Sequence, residues 1–362
     1  MNHAGRLRAL RRGMRAQRLE ALLLTHLPDV RYLCGFTGSN ALLAIVPKSA
    51  VLFTDGRYTE QAHEETHAAR VRIAAKSAQR AACEWLAGTG AAHCGFDPAH
   101  TTVADLEMFR DLLPKPRRAR FFCPLAAPLV LNQRLIKDAA ELKLMERAAH
   151  LGVALFQDLL PHVRSGIEET ELAGRLEQRA RAGGADGMSF ETIVASGPRS
   201  SLPHGRATAR PLPRNGFVTL DFGVILKGYC SDMTRTVFLG KATRRERFTY
   251  DAVLEAQQAA VERVRPGVTC GEVDEAARGV LRKAGLAEYF THSTGHGVGL
   301  EIHEMPRIAA AQQQTLAPGM VITVEPGVYI PGRFGVRIED MVAVTEDGAR
   351  VLTPAPKAWI GL

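Results

Sequence analysis

Aromatic residues make up only 6% of this 362-residue chain, and its six cysteines contain no C-x-x-C pair. The first shortage removes the stacking platform that single-stranded nucleic acids use, so a net charge of +8 does not by itself predict a nucleic-acid partner. The second predicts free, buried or half-buried thiols at Cys34, Cys83, Cys94, Cys123, Cys230 and Cys270 in a reducing compartment, and argues against a disulfide framework. No apolar run approaches the roughly eighteen residues needed to span a bilayer, and the N-terminus has no hydrophobic signal core. These absences predict a cytoplasmic protein with no membrane partner.

Several catalytic signatures are missing too. His303-Glu304 is followed by Met305-Pro306-Arg307, which breaks the His-Glu-x-x-His pattern of a thermolysin-like zinc helix. The glycine-rich stretch 295–299 has neither the spacing nor the Lys-Ser/Thr end of a phosphate-binding loop. No Gly-x-Ser-x-Gly elbow occurs.

What is present is a set of five metal-ligand types in the C-terminal half: Asp221, Asp232, His296, Glu325 and Glu339. Carboxylates with a single imidazole suit manganese, cobalt or iron-type centres better than a thiolate set or an all-oxygen set would. Four carboxylates suit two cations, which together activate a water and stabilise the oxyanion formed when it attacks. Asp221 ends the apolar run Phe217-Val218-Thr219-Leu220, and Asp232 follows eleven residues later, beyond a Lys227-Gly228 turn. That pattern predicts a β-hairpin with the two carboxylates side by side across the ladder. Glu325 follows Met320-Val321-Ile322-Thr323-Val324 and Glu339 closes Val336-Arg337-Ile338, so both are expected at strand ends. His296 lies among Gly295, Gly297 and Gly299, a backbone expected to approach a cofactor closely. A lone Asp in a turn or His in a loop is ordinarily a local hydrogen-bonding device. Four carboxylates at the ends of apolar strands are not explained that way, because unpaired charge there is costly.

The motifs Gly-His-Gly-Val-Gly-Leu-Glu-Ile-His-Glu-Met-Pro, Val-Glu-Pro-Gly-Val-Tyr and Gly-Val-Arg-Ile-Glu-Asp, with the Asp pair before them, resemble the pita-bread metallopeptidases, family M24. Within that family the chain is most similar to the Xaa-Pro aminopeptidase and Xaa-Pro dipeptidase branch. The segments Val30-Arg31-Tyr32-Leu33-Cys34-Gly35-Phe36-Thr37-Gly38-Ser39 and Leu52-Phe53-Thr54-Asp55-Gly56-Arg57-Tyr58 resemble the creatinase-type N-terminal domain of the same branch. The resemblance implies that Asp221 is the bidentate ligand of one metal, that Asp232 and Glu339 bridge both, and that His296 and Glu325 hold the other. It implies that Glu325 also takes the proton of the attacking water, and that His204 and His303 contact substrate and the developing oxyanion. Arg337 is implied as an arginine beside the bridging glutamate, orienting it. The cofactor implied is two divalent metal ions, Mn2+ or Co2+, and the partners implied are proline-containing peptides and a second copy of the chain in a homodimer. Metal-free relatives, creatinase and pita-bread binding proteins, are the rival class; all five ligand positions being intact favours the enzyme.

Length and a 46% hydrophobic content accommodate two domains. Residues 1–130 alternate short apolar runs with helix-like stretches near 57–69, 79–88 and 103–113, predicting an α/β domain, and a proline-punctuated stretch from Pro114 to Pro128 leads out of it. Residues 131–362 predict an α+β domain, helices over a curved antiparallel sheet, opening with a helix capped by Asp138 and Glu141. The basic residues Arg6, Arg8, Arg11, Arg12, Arg15 and Arg18 are expected on the wet face of a first helix. Some dipeptidases hold the substrate carboxylate with an arginine about fourteen residues before the glutamate of the Val-Glu-Pro-Gly motif. Here that position is Ala311, and 308–324 contain no Lys or Arg. The expectation is therefore an Xaa-Pro aminopeptidase, with an Xaa-Pro dipeptidase as the alternative.

Overall fold

The computed structural model describes residues 1–362. The chain divides into two compact units, Met1–Arg134 and Leu135–Leu362. No helix is long and apolar enough to cross a membrane.

The N-terminal unit is a six-stranded mixed sheet in the order Arg70–Ala74, Ser49–Asp55, Leu42–Val46, Ala21–Leu24, Cys94–Phe96, Phe122–Pro124. Ala21–Leu24 runs antiparallel to Leu42–Val46 and parallel to Cys94–Phe96. Its apolar interior gathers Leu23, Ala44, Phe53, Leu86, Phe96 and Phe122. The first helix, His3–Ala16, is capped by the Asn2 side chain and buries Leu7, Leu10 and Met14. Arg8, Arg12, Arg15 and Arg18 lie in water as expected. Arg6 does not: it is buried, donates to the Tyr32 carbonyl at 2.9 Å and stacks its guanidinium 3.9 Å over the Tyr32 ring. The helix Leu129–Arg134 belongs to this unit, since Arg134 Nη1 makes a fully buried 2.8 Å ion pair with Asp29. The units accordingly divide after Arg134 rather than at 130.

The C-terminal unit is built from antiparallel sheets with helices packed on them. The expected capping box forms: Asp138 accepts from the N–H groups of Ala140 and Glu141, and Glu141 reaches back to Asp138 N–H, starting the helix Ala139–Leu159. This helix and Glu169–Ala182 bury Leu155, Phe156, Leu172 and Leu176 against Val194, Val218, Leu220 and Val237 of a three-stranded sheet, Met233–Leu239, Gly216–Phe222 and Ile193–Ser196. Helices Arg244–Arg263 and Cys270–Lys283 bury Val253, Ala256, Val273, Ala277 and Leu281 against Ile322, Val324, Val342 and Val344. Those residues come from a five-stranded sheet ordered Glu304–Ile308, Gly295–Gly297, Val321–Val324, Asp340–Val344, Ala349–Val351. Each Val, Leu, Ile or Phe side chain among them is worth about 1.5–3 kcal/mol when fully buried, so the two apolar layers stabilise the sheets that carry the strand ends.

The hairpin between Asp221 and Asp232 is less regular than its spacing predicts. Lys227 and Gly228 form the expected turn, with φ of 48° and 79°. Below it the ladder breaks at Gly223, where a Cβ would come within 1.8 Å of the Ser231 carbonyl oxygen. Below the break, Asp221 stands opposite Thr234, and the first paired residue after Asp232 is Met233, opposite Phe222. The two aspartates are therefore not a cross-strand pair; Asp232 sits in the break.

Candidate active site

Asp221, Asp232 and Glu339 are buried, with 8%, 4% and 2% of their surface exposed. Glu339 N–H donates to the Thr234 carbonyl at 3.1 Å, Glu325 N–H donates to that of Thr294 at 2.8 Å, and Asp221 lies within the strand Gly216–Phe222. Strand pairing thus delivers carboxylates from three segments to one place, and His296 joins them from the strand Gly295–Gly297. One ligand-type atom from each of Asp232, His296 and Glu339 falls in a cluster no wider than 4.8 Å.

The imidazole of His296 is oriented by its own carbonyl neighbour. Nδ1 lies 3.0 Å from the Gly297 carbonyl oxygen, so it carries the proton and Nε2 presents a lone pair. That nitrogen is 3.4 Å from Glu325 Oε1 and 3.6 Å from Asp232 Oδ2. These separations are long for hydrogen bonds. The 3.4 Å separation from Glu325 matches two ligands of one ion, since donors ~2.1 Å from a shared cation stand ~3.0–3.5 Å apart, and the Asp232 oxygen lies just beyond that range. Hydroxyl groups set the carboxylates: Thr234 Oγ1 donates to Glu339 Oε2 at 2.7 Å and Thr323 Oγ1 to Glu325 Oε1 at 3.1 Å.

Four carboxylates share this pocket with one guanidinium. Burial first, and then the neighbouring carboxylates, push Asp232 and Glu339 well above the ordinary carboxylate range. Burial likewise raises Glu325 to about 7 despite the attraction of Arg337. Surplus buried negative charge of this kind fits a donor set made for divalent cations, and the arrangement of donor atoms agrees with it.

Arg337 is buried and saturated. Its Nη2 donates to Asp221 Oδ2 at 2.5 Å, Nε to Thr234 Oγ1 at 3.1 Å, and Nη1 to the Tyr329 hydroxyl at 2.6 Å and the Pro203 carbonyl at 3.1 Å. The expected contact with Glu339 is thus not direct. Arg337 pairs with Asp221 and reaches Glu339 only through the Thr234 hydroxyl, which accepts from Nε and donates to Oε2.

The glycines around His296 serve packing between strands. A Cβ at Gly295 would lie 2.0 Å from the Thr323 carbonyl oxygen, and one at Gly297 would lie 2.1 Å from that of Met305. Close approach to backbone, rather than to a cofactor, is what excludes side chains there. His303 and His204 are exposed. The His303 ring stands nearly perpendicular to that of His296 with centroids 4.4 Å apart. Partial burial of its ring, and then the charges of His296 and His204, hold His303 below its usual pKa, so the three imidazoles share one electrostatic neighbourhood.

Residues that sequence reasoning passed over complete the site. Tyr329, inside the quoted Val-Glu-Pro-Gly-Val-Tyr motif, accepts from Arg337, and its hydroxyl lies 2.9 Å from His292 Nε2. His292 Nδ1 in turn lies 2.8 Å from the Ser293 carbonyl, and burial lowers this imidazole to about 4, keeping it neutral. Thr234 and Thr323 gave no sequence signal beyond strand-like alternation. Arg307 is the other omission. It lies directly opposite His296 across the strand pair, and opposed residues project from the same face of a sheet. Along Glu304–Ile308 burial alternates, with Met305 and Arg307 outward, so an exposed guanidinium shares the face on which His296 presents its ring.

Comparison with known proteins agrees with this geometry. Residues 6–135 match the creatinase/prolidase N-terminal domain and residues 143–346 match metallopeptidase family M24. The chain is 33% identical over 346 residues to the Xaa-Pro dipeptidase of Pyrococcus horikoshii, covering 94% of this chain and 95% of that one. Among solved structures it resembles an Xaa-Pro dipeptidase from Bacillus anthracis, at 38% identity and a TM-score of 0.95 over 100% of both chains. It also resembles an X-Pro aminopeptidase from Thermotoga maritima, at 32% identity and a TM-score of 0.88 over 96% of this chain and 100% of that one. A creatinase-type N-terminal domain followed by a pita-bread domain is the architecture, and the chain belongs to metallopeptidase family M24.

Proposed function

We propose that this protein is a dinuclear metal-dependent peptidase that hydrolyses the bond between an N-terminal residue and a following proline. The observation that carries the reading is the convergence of Asp232, His296 and Glu339, with Glu325 3.4 Å from His296, in a buried pocket whose negative charge exceeds its positive charge. Asp221, Asp232, His296, Glu325 and Glu339 would hold two divalent ions, Mn2+ or Co2+ by the carboxylate-rich donor set. When bound, the ions lower the pKa of water and polarise the scissile carbonyl. In this reading the chain's own groups do the rest. Glu325 takes a proton from the attacking water, and His204 and His303 donate to the oxygen on which charge develops. Arg337 keeps Asp221 and, through Thr234, Glu339 in place. A prolyl imide has no N–H and a fixed φ, which calls for a dedicated site.

Arg307 bears on substrate length. A guanidinium on the His296 face is suited to a free carboxylate held bidentately, as at the C-terminus of an Xaa-Pro dipeptide. Its position supplies the cation that is absent at Ala311, and it favours the dipeptidase over the aminopeptidase. Purified chain refilled with Mn2+ or Co2+ is expected to cleave an Xaa-Pro dipeptide faster than an Xaa-Pro-Xaa tripeptide, and to lose that preference when both are amidated. Equal or faster tripeptide turnover returns the assignment to the aminopeptidase, and no cleavage of any Xaa-Pro peptide overturns the peptidase reading. A cytoplasmic homodimer completes the proposal, on family resemblance alone; sedimentation showing only monomer at micromolar concentration removes that part.

A further inference from the structure

We infer that the N-terminal unit carries a metal site of its own, built from His26, Asp29 and His100 and suited to a single borderline divalent ion such as zinc. One donor atom from each of the three lies within 4.8 Å of the others. His26 Nδ1 is 3.3 Å from Asp29 Oδ2, the edge expected between two ligands ~2.0–2.1 Å from a tetrahedral ion. The rings of His26 and His100 are stacked with centroids 3.7 Å apart.

The supports behind these donors are those a metal ligand has. Asp97 Oδ2 lies 3.0 Å from His100 Nδ1, which places the proton on Nδ1 and leaves Nε2 as the donor. Asp97 is itself set by a turn in which its Oδ1 accepts from Ala99 N–H at 2.9 Å. Arg134 engages Asp29 Oδ1 at 2.8 Å, which orients the carboxylate and leaves Oδ2 for the imidazole side. Thr25 Oγ1 donates to the His100 carbonyl at 3.2 Å, tying the two segments together before any ion arrives.

The position follows from topology. His26 and His100 stand just beyond the carboxyl ends of Ala21–Leu24 and Cys94–Phe96, which are adjacent parallel strands. Loops diverge there and leave a crevice, the usual place for a ligand in an α/β sheet. A cleft of about 210 Å3, lined by Thr25, Leu27, Asn40, Asp105 and His100, adjoins the set on its His100 side. Two imidazoles and one carboxylate make a softer, less charged set than the carboxylate pocket of the C-terminal unit, so zinc-like ions are preferred over manganese. The inference does not rest on the peptidase reading.

The test uses the full chain carrying Asp232→Asn and Glu339→Gln, so that the carboxylate pocket is disabled. Equilibrated with Zn2+ and counted by metal analysis, it is expected to lose one equivalent when His100→Ala is added. With Co2+ as the probe, the visible bands of a four-coordinate nitrogen and oxygen site are expected to vanish in the same step. Asp97→Ala should weaken Zn2+ binding about 10- to 100-fold while leaving the ligands intact. Circular dichroism verifies folding, and His26→Gln takes the place of His100→Ala if the latter does not fold. No Zn2+ on the starting variant, or an unchanged count after loss of either histidine, overturns the site.

Discussion

Imidazole and carboxylate converge twice in this chain, and the two clusters differ in what surrounds them. In the C-terminal unit, Asp221, Asp232, Glu325 and Glu339 crowd round His296, burial pushes Asp232, Glu325 and Glu339 up, and of these carboxylates Arg337 pairs with Asp221. In the N-terminal unit two imidazoles meet one buried carboxylate that Arg134 already pairs, with the His26 and His100 side chains 14% and 30% exposed. The first cluster has no inexpensive metal-free state: its carboxylates must either bind cations or take up protons. The second is balanced without an ion, because Arg134 already pairs its one carboxylate. A buried carboxylate cluster is thus committed to cations by the fold, whereas the histidine pair only offers a place for one.

The widest gap between the two clusters should open at Glu339. Glu339→Gln keeps the shape and the Thr234 hydrogen bond but removes the charge, and kcat/KM on an Xaa-Pro dipeptide is expected to fall on the order of 10^3–10^4-fold, equivalent to several kcal/mol. Activity within tenfold of the parent would mean that the carboxylate pocket is not the reacting centre.

Acid should separate the units next. His292 is lowered to about 4 by burial and by the charge of Arg337, whereas an unfolded chain protonates it near 6.5. Between those values the unfolded state binds more protons, so stability rises with pH across the window and is lost as pH falls through it. The full span is worth about 3 kcal/mol. Urea midpoints of metal-free protein at pH 7 and pH 4.5, parent against His292→Asn, measure it. The variant is expected to lose less stability on acidification, and parallel losses would show that another group dominates.

These groups were unequally legible in the sequence. The four carboxylates are legible because they stand at the ends of apolar strand runs, His296 because it stands among glycines, and the helix start at Asp138 because capping chemistry is local. Register is not local. The spacing of Asp221 and Asp232 alone does not give the register: one continuous register runs down from the Lys227-Gly228 turn, sets Thr234 opposite Asp221 and leaves Asp232 two residues nearer the turn. The resemblance sets Arg337 beside Glu339, whereas its guanidinium pairs with Asp221, and the room that the glycines round His296 leave is occupied by neighbouring strands. Arg6 was placed in water by helical periodicity alone, which cannot anticipate the Tyr32 ring and carbonyl that bury it. Arg307 lies one residue before the Lys- and Arg-free stretch 308–324, and only strand pairing puts it opposite His296.

Arg307→Ala sharpens the substrate side of the comparison. Loss of a charge-assisted contact of about 1.5–3 kcal/mol predicts a roughly 10- to 100-fold rise in KM for Xaa-Pro dipeptides with kcat little changed. Amidated dipeptides, lacking the carboxylate, should respond less than threefold or so by the same argument. Equal losses on both substrates would place Arg307 outside the carboxylate-binding role.

The smallest effect is expected at the histidine pair, where a null result in one assay and a positive one in another are both informative. In the unaltered background, His100→Ala removes a ring stacked 3.7 Å from His26 and the 3.0 Å contact with Asp97. The side chain is 30% exposed and its partner aspartate 13%, so solvent screens the pair and the cost in stability is about 0.5–1 kcal/mol. None of the five ligand-type residues of the carboxylate pocket lies in Met1–Arg134, so kcat/KM on an Xaa-Pro dipeptide should stay within about twofold of the parent, the spread expected for a substitution away from the chemistry. Added Zn2+ should raise the parent's melting temperature by more than it raises the variant's, because an ion bound only to the folded state stabilises by mass action. Identical zinc responses would leave the stacked imidazoles a structural pair, and a large loss of activity would make the N-terminal cluster part of the catalytic apparatus, erasing the distinction between a site committed to cations and one that merely admits them.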